Sequence, residues 1–262
     1  TTIETKPDGK KDTTIETKPD GKKDTTIETK PDGSTVETSR VEIKVSGDKK
    51  AEASVSVTKD AQGNVTGANA TISGNKGVLT ADVVKQLTEA AGTEDLTLTV
   101  QVKNASGDVK YMVSVSAENV KNNKSLKAFA INSKTGEYEL VNSKIYKPED
   151  GNLIASFGKK GDYVLLTTKE AARVEKEILK TIAPKKTKAT VKKGKTTEFK
   201  LDSKLNQNNV KKVTYKTSKK SVASVNKNGK IKANRKGTAT IKAIVTLKNG
   251  KTKTVSMKIT VR

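Results

Sequence analysis

Residues 213–261 alternate between apolar and polar positions with a period of two, which is typical of half-buried β-strands. In the longest run, Ala239, Ile241, Ala243 and Val245 fall on one face, while threonine and lysine residues fall on the other. This pattern predicts antiparallel strands with one face on a core and the other in water.

Turn signals divide the same region into hairpins. An Asn-Gly pair at 228–229 precedes the strand that begins at Ile231, and another pair at 249–250 separates the last two strands. Asn-Gly favours the positive φ angles of tight hairpin turns. Residues 184–262 are therefore predicted to form an immunoglobulin-like β-sandwich of about seven strands. Its inward positions are Val213, Tyr215, Val222, Val225, Ile231, Ala233, Ala239, Ile241, Ala243, Val245, Val255, Met257, Ile259 and Val261.

Residues 34–168 show the same alternation and one helix, which predicts a second β-sandwich with one added helix. The helix has Thr80 as its N-cap, Val83 and Leu87 on one face, and Gly92 as its stop. The first alternating positions are Val41, Ile43, Val45, Ala53, Val55, Val57, Leu96, Leu98, Val100 and Val102. Further strands are predicted at 109–117, 126–131, 137–141, 153–157 and 162–167.

A short connecting helix is predicted over residues 169–183, where Val174, Ile178 and Leu179 recur at helical spacing. Pro184 ends the helix and sets the domain boundary near Ala183. The helix either holds two domains at a fixed angle or forms a loosely packed linker, and the sequence leaves both open.

The first 33 residues repeat the unit TTIETKPDGKKD, whose Pro-Asp-Gly segment is a turn signal. The Thr-Thr-Ile-Glu-Thr segment has strand propensity, so an ordered β-meander is one alternative. The other is a flexible spacer or stalk, which the composition favours because each unit offers one large apolar residue, Ile3, Ile15 or Ile27.

Charge is distributed unevenly along the chain. Residues 1–183 contain 28 Lys and Arg against 27 Asp and Glu, whereas residues 184–262 contain 24 against 2. A positive field of this kind attracts polyanions and weakens with salt. Because 22 of the 24 basic residues are lysine, which does not make bidentate contacts to bases, specific nucleic-acid recognition is not expected.

The chemistry needed for most catalysis is absent from the sequence. There is no Cys and no His, which excludes disulfides, metal sites with Cys or His ligands, and catalytic triads based on His. The nearest acidic pairs, 94–95 and 149–150, lie beside Gly92 and Gly151, and are interpreted as turns rather than acid/base or Ca²⁺ sites. We therefore predict a non-enzyme with no cofactor and no metal. No apolar run approaches the 18 or so residues that span a membrane, so no spanning segment is predicted.

The run TSKKSVASVNKNGKIKANRKGTATIKA at 217–243 resembles the bacterial immunoglobulin-like domain, group 2. Tyr215 stands where that family commonly has Trp. The resemblance, over about residues 185–262, implies an extracellular protein of the cell surface. The first domain, with LTADVVKQL at 79–87 and GDYVLL at 161–166, looks like a domain of surface proteins from Clostridia-type Gram-positive bacteria. The chain is accordingly interpreted as a fragment of a longer protein.

These observations predict a monomeric adhesion or spacer segment whose basic domain binds an anionic cell-wall polymer. The partner could instead be a host glycan or protein, and the lysines could be only a solvated surface. An alternative function is the accessory binding region of a larger surface hydrolase whose catalytic domain lies outside this chain. The candidate anion-binding residues are Lys192, Lys193, Lys211, Lys212, Lys219 and Lys220. The candidate sugar-stacking residues are Tyr138 and Tyr146, because Tyr111, Tyr163 and Tyr215 occupy predicted core registers.

Overall fold

A computed structural model describes residues 2–6, 13–19, 24–46, 49–74 and 77–262. The chain divides into two compact units, which we call the first and the second unit. The first comprises Thr1–Gly136 and Ile145–Thr167, and the second comprises Glu137–Lys144 and Thr168–Arg262.

A long sheet forms the framework of the first unit. Its strands follow the order β1-β2-β3-β4-β5-β6-β8-β9-β13-β10, and β7 pairs with β12 in a separate small sheet. The elements up to residue 167 are β1 (Thr2–Lys6), β2 (Thr13–Pro19), β3 (Asp24–Thr29), β4 (Thr35–Ser46), β5 (Lys49–Lys59), β6 (Val65–Gly74), β7 (Gly77–Leu79), α1 (Ala81–Ala91), β8 (Thr97–Lys103), β9 (Val109–Ser116), α2 (Ala117–Lys121), β10 (Leu126–Ile131), β11 (Tyr138–Tyr146), β12 (Leu153–Ala155) and β13 (Gly161–Thr167).

The mainly β fold predicted from the alternation is confirmed. Strands β6 and β7, helix α2 and the parallel strand pairs of the first unit are not among the predicted elements. Strands β6 and β8 run parallel, with α1 in the connection between them, and β9 and β13 are also parallel. The short helix α2 begins where the strand predicted at 109–117 ends, and the sequence analysis predicts no helix there. Alternation shows which residues share a face, but it does not show strand direction.

Helix α1 forms with the caps that the sequence predicts. The Thr80 side chain accepts a hydrogen bond from the Val83 amide at 3.2 Å, and Gly92 ends the helix at φ 66°. Val83 and Leu87 are buried, so the apolar stripe of the helix is part of the core.

The described residues of the N-terminal repeats include three strands, β1 to β3, and the spacer role stays a prediction. Strands β1 to β3 pair antiparallel, and β3 pairs with β4. The third turn closes with Gly33 N–H donating to Lys30 at 3.0 Å, and the Ser34 side chain lowers the pKa of Asp32 by hydrogen bonding to it. The corresponding turns of the first two copies lie outside the described residues. Pairing onto β4 supplies backbone hydrogen bonds that an isolated repeat would lack.

The second unit contains the predicted seven-strand sandwich. One sheet has the order β14-β20-β19-β16 and the other β15-β18-β17. The core between them includes Phe199, Ile231, Ile241 and Met257. The elements are α3 (Thr168–Thr181), β14 (Lys188–Val191), β15 (Thr196–Glu198), β16 (Val210–Thr217), β17 (Ala223–Val225), β18 (Lys230–Ala233), β19 (Gly237–Leu247) and β20 (Thr252–Val261).

Helix α3, predicted as a connector, belongs to the second unit. Its Ile178 side chain is buried, and its Glu175 carboxylate lies 2.6 Å from the Lys251 ammonium. The Lys253 ammonium donates to the Leu179 carbonyl at 2.7 Å. A cation near the last turn also suits the helix dipole. The helix is therefore attached to the sandwich by apolar and charged contacts.

Candidate functional site

The six candidate lysines lie in three exposed pairs on the second unit. One pair occupies the turn between β14 and β15, the second occupies a bulge at the start of β16, and the third occupies the turn between β16 and β17. In chain order these pairs are Lys192 and Lys193, Lys211 and Lys212, and Lys219 and Lys220.

Backbone hydrogen bonds bring the first and third pairs to the same end of the sandwich. The Lys193 amide donates to the Arg262 carbonyl at 2.9 Å, after the last residue of β20. The Asn234 side chain donates to the Lys220 carbonyl at 2.9 Å, and the Arg235 amide donates to Val222 at 3.2 Å. These hydrogen bonds fix the backbone of the turns, and the lysine ammonium groups take no part in them.

Several basic residues that the sequence analysis did not select join these four lysines. Lys195 follows the first turn, and its backbone amide closes the turn by donating to the Lys192 carbonyl at 3.0 Å. Arg235 and Lys236 precede β19, whose first residue Gly237 pairs with Val261 beside Arg262. We call this set the basic end. It consists of Lys192, Lys193, Lys195, Lys219, Lys220, Arg235, Lys236 and Arg262, all exposed.

Carboxylates do not offset this charge within residues 184–262. The two acids of that range are Glu198 and Asp202. Glu198 lies 3.0 Å from the Lys200 ammonium, and Asp202 accepts a hydrogen bond from the Lys204 amide at 2.9 Å. Across these fully described residues, neither acid makes an ion pair with a member of the basic end.

Lys211 and Lys212 lie at the opposite end of the sandwich. Lys212 pairs with Thr246 near the far end of β19, and five residue steps of extended strand, about 17 Å, separate it from Thr217, which precedes the turn of Lys219. The charges there are mixed, because Glu175 pairs with Lys251 and the Asn208 side chain donates to Glu139 at 2.9 Å. The structure therefore brings four of the six candidate lysines together and separates the other two.

The two candidate sugar-stacking tyrosines belong to different units. Tyr138 is 37% exposed and lines a cavity of about 480 Å³ in the second unit with Val174 and Ile178 of α3. Tyr146, in the first unit, is half-buried, and its hydroxyl donates to the Ser156 carbonyl at 3.1 Å.

Tyr146 belongs to an aromatic cluster in the first unit. Its ring centroid lies 5.6 Å from that of Phe157, which stacks on Tyr163 at 3.9 Å. Burial raises the pKa of Tyr146, and the neighbouring Tyr111 and Tyr163 raise it further. Tyr111 and Tyr163 are buried, as predicted. Tyr215 is partly buried against Phe199, at a centroid distance of 5.8 Å.

The acidic pairs interpreted as turns occupy turns. Glu94 makes an ion pair with Lys121 at 2.7 Å, and Asp150 adopts φ 50° beside Gly151. Among the described residues, no three acidic side chains lie close enough together to hold a metal ion. In the same residues, no helix has the length and apolarity to cross a membrane.

Comparison with known proteins identifies part of the second unit. Residues 179–261 match the family model of the bacterial Ig-like domain (group 2), which confirms the resemblance seen in the sequence. No curated protein matches the chain.

Two solved structures are similar to the chain over most of its length. Domains 4 and 5 of the S-layer protein SbsC are 15% identical, with 78% of this chain and 88% of that chain covered and a TM-score of 0.26. SGBP-B of the Bacteroides ovatus mixed-linkage glucan utilization locus, in complex with a heptasaccharide, is 12% identical, with 92% and 64% covered and a TM-score of 0.17. Superposition this poor supports no conclusion about the present chain.

Proposed function

We propose, from the match of residues 179–261 to the bacterial Ig-like domain of group 2, that the chain is a non-catalytic segment of a bacterial surface protein. Its second unit binds an anionic polymer of the cell wall, such as one carrying teichoic acid phosphates. The first unit serves as a spacer or adhesive module.

The basic end supports this function most directly. It places eight basic side chains on turns and strand ends that backbone hydrogen bonds hold together, within residues 184–262, which contain 24 basic and 2 acidic residues. Exposed lysines pair weakly with any single anion, so affinity has to come from several phosphates contacted together. A polymer with regularly spaced phosphates provides such contacts.

Lysine is suited to this kind of partner. Its ammonium is a hydrated point charge on a flexible stem, and it does not require a fixed acceptor geometry. A polymer whose phosphates move relative to one another can therefore be held without a shaped pocket. Binding of this type is expected to weaken as salt screens the charges.

Two charge-matched variants of the full chain test the assignment to the basic end. The first replaces Lys192, Lys193, Lys219 and Lys220 with Gln. The control replaces Lys211, Lys212, Lys227 and Lys248, which are exposed at the opposite end. Both lose four charges, so any effect of total charge is the same.

Binding is measured by sedimentation with purified walls at low salt. We expect the basic-end variant to bind at least about tenfold more weakly, which corresponds to about 1.4 kcal/mol, and the control to bind nearly as the wild type does. Equal losses in the two variants would show that the field of the whole domain acts without a localised site. No loss in either would refute the assignment.

A further inference from the structure

A second basic feature of the second unit is a groove of about 550 Å³ beside strand β15. Its lining shares no residue with the basic end, and its walls carry Lys185, Lys186, Lys200 and Lys230. The buried Met257 also lines the groove. All of these residues belong to the second unit.

The groove exists because the chain changes sheets at this point. The Lys185 amide donates to the Lys200 carbonyl at 2.8 Å, so residue 185 runs beside the continuation of β15. Two residues later, the Thr187 carbonyl accepts from the Lys258 amide, also at 2.8 Å, next to the other sheet. The segment thus separates from the edge of β15 and leaves that edge open.

Strand β15 is an edge strand with β18 on one side only. The Phe199 backbone amide donates to the Gly229 carbonyl at 2.9 Å, and the Ala233 backbone amide donates to the Lys195 carbonyl at 3.0 Å. In an antiparallel pair, alternate residues bond to the partner, so the backbone groups of Thr196 and Glu198 point away from β18. Both residues line the groove, which therefore has unpaired strand donors and acceptors along one wall.

The charge of the groove is strongly positive. Glu198 is the acid that lines it, and its carboxylate lies 3.0 Å from the Lys200 ammonium. Within the described residues of the second unit, Lys185, Lys186 and Lys230 make no ion pair with an acid. A ligand entering the groove would meet three uncompensated ammonium groups and an open strand edge.

We propose that the groove binds an acidic peptide segment in extended conformation, which adds to β15 as a further strand. The peptide backbone pairs with Thr196 and Glu198, and its acidic side chains contact Lys185, Lys186 and Lys230. Strand addition of this kind derives affinity from main-chain hydrogen bonds and specificity from the alternate side chains. It also covers an edge that would otherwise remain open to non-specific pairing.

A phosphate polymer is the less suitable occupant of this groove. It would satisfy the lysines, but it offers no backbone donors for the carbonyl oxygens of Thr196 and Glu198. A peptide supplies both donors and acceptors at the spacing of a strand. The proposal is thus independent of wall binding by the basic end.

The test uses the full chain and a blocked hexapeptide of alternating glutamate and threonine. Amide hydrogen exchange, followed by NMR, reports on Thr196 and Glu198 directly. Two control peptides are matched in length: one carries lysine in place of glutamate, and the other is N-methylated at alternate backbone nitrogens. Thr196→Pro removes a groove-facing amide while leaving the bonds to β18 intact, which edge strands tolerate. Lys186→Gln with Lys230→Gln removes two of the charges.

We expect the acidic peptide to slow exchange of the Thr196 and Glu198 amides at least about tenfold. Thr196→Pro and the double lysine variant should each weaken binding by tenfold or more, while Lys219→Gln with Lys220→Gln at the basic end should leave it unchanged. For each variant, amide chemical shifts outside the groove that match those of the wild type confirm that the variant is folded. Equal binding of the N-methylated peptide, shifts centred on the basic end, or no binding at low salt would each overturn the proposal.

Discussion

The ion pair between Glu175 and Lys251 gives the sharpest test of how helix α3 is held. Glu175 is 3% exposed and its carboxylate lies 2.6 Å from the ammonium, whereas the Lys251 side chain is 48% exposed. Replacing Lys251 with Met keeps the apolar stem and removes the charge. The change therefore removes the Lys251 ammonium from a buried carboxylate.

The expected cost follows from the burial of the two groups. Removing one partner of a fully buried pair costs about 3–5 kcal/mol. Because half of the Lys251 side chain is in water and the remaining carboxylate can attract solvent, we expect about 2 kcal/mol. For a domain of this size, that loss lowers the melting temperature by roughly 8–16 °C.

Native-state hydrogen exchange of the β19 amides measures the unfolding free energy of the second unit separately from the first. Lys248→Met, in the neighbouring turn, is the control and should change it by less than about 0.5 kcal/mol. Adding Glu175→Gln to Lys251→Met should recover at least about 1 kcal/mol, because the buried negative charge that faced the Lys251 ammonium is then gone. A loss under 0.5 kcal/mol for Lys251→Met, or no recovery in the double variant, would refute this account of the helix attachment.

Three further predictions concern local structure. Gly229→Ala should destabilise the second unit by about 2 kcal/mol in urea unfolding, because Gly229 has φ 77° and a Cβ would lie 2.9 Å from the Tyr215 ring. Thr80→Ala should cost the first unit about 1 kcal/mol through loss of the N-cap of α1, and Thr80→Ser should restore most of it. The pKa of Asp60 is lowered, first by its hydrogen bond from the Asn64 side chain. An NMR titration should thus give a midpoint below 3.8. The stabilisation contributed by this carboxylate should be fully present above the ordinary carboxyl range and be lost as pH falls from that range through the lowered midpoint.

Local signals in the sequence predicted local structure well. The Asn-Gly pair at 228–229 indicated the turn between β17 and β18, and Gly229 has the positive φ expected there. Thr80 and Gly92 bound α1 because capping depends on residues only a few positions away. The alternation in β19 identified its buried face for the same reason.

Long-range features could not be predicted in this way. The buried position of Glu175 on α3 depends on Lys251, which lies 76 residues further along the chain and pairs with it. Likewise, strand β3 of the N-terminal repeats pairs with β4, which the composition of the repeats does not reveal. The basic end was found only in part, because hydrogen bonds between distant turns decide which lysines become neighbours.

The most direct test of the proposed function is sedimentation of the wild-type chain with purified Gram-positive walls, with and without teichoic acid, over a salt series. We predict binding that requires teichoic acid and falls steeply between about 0.05 and 0.5 M salt, where the screening length shrinks from roughly 14 Å to 4 Å. Binding that persists without teichoic acid or at high salt, or no binding at low salt, would contradict an electrostatic wall contact by the second unit.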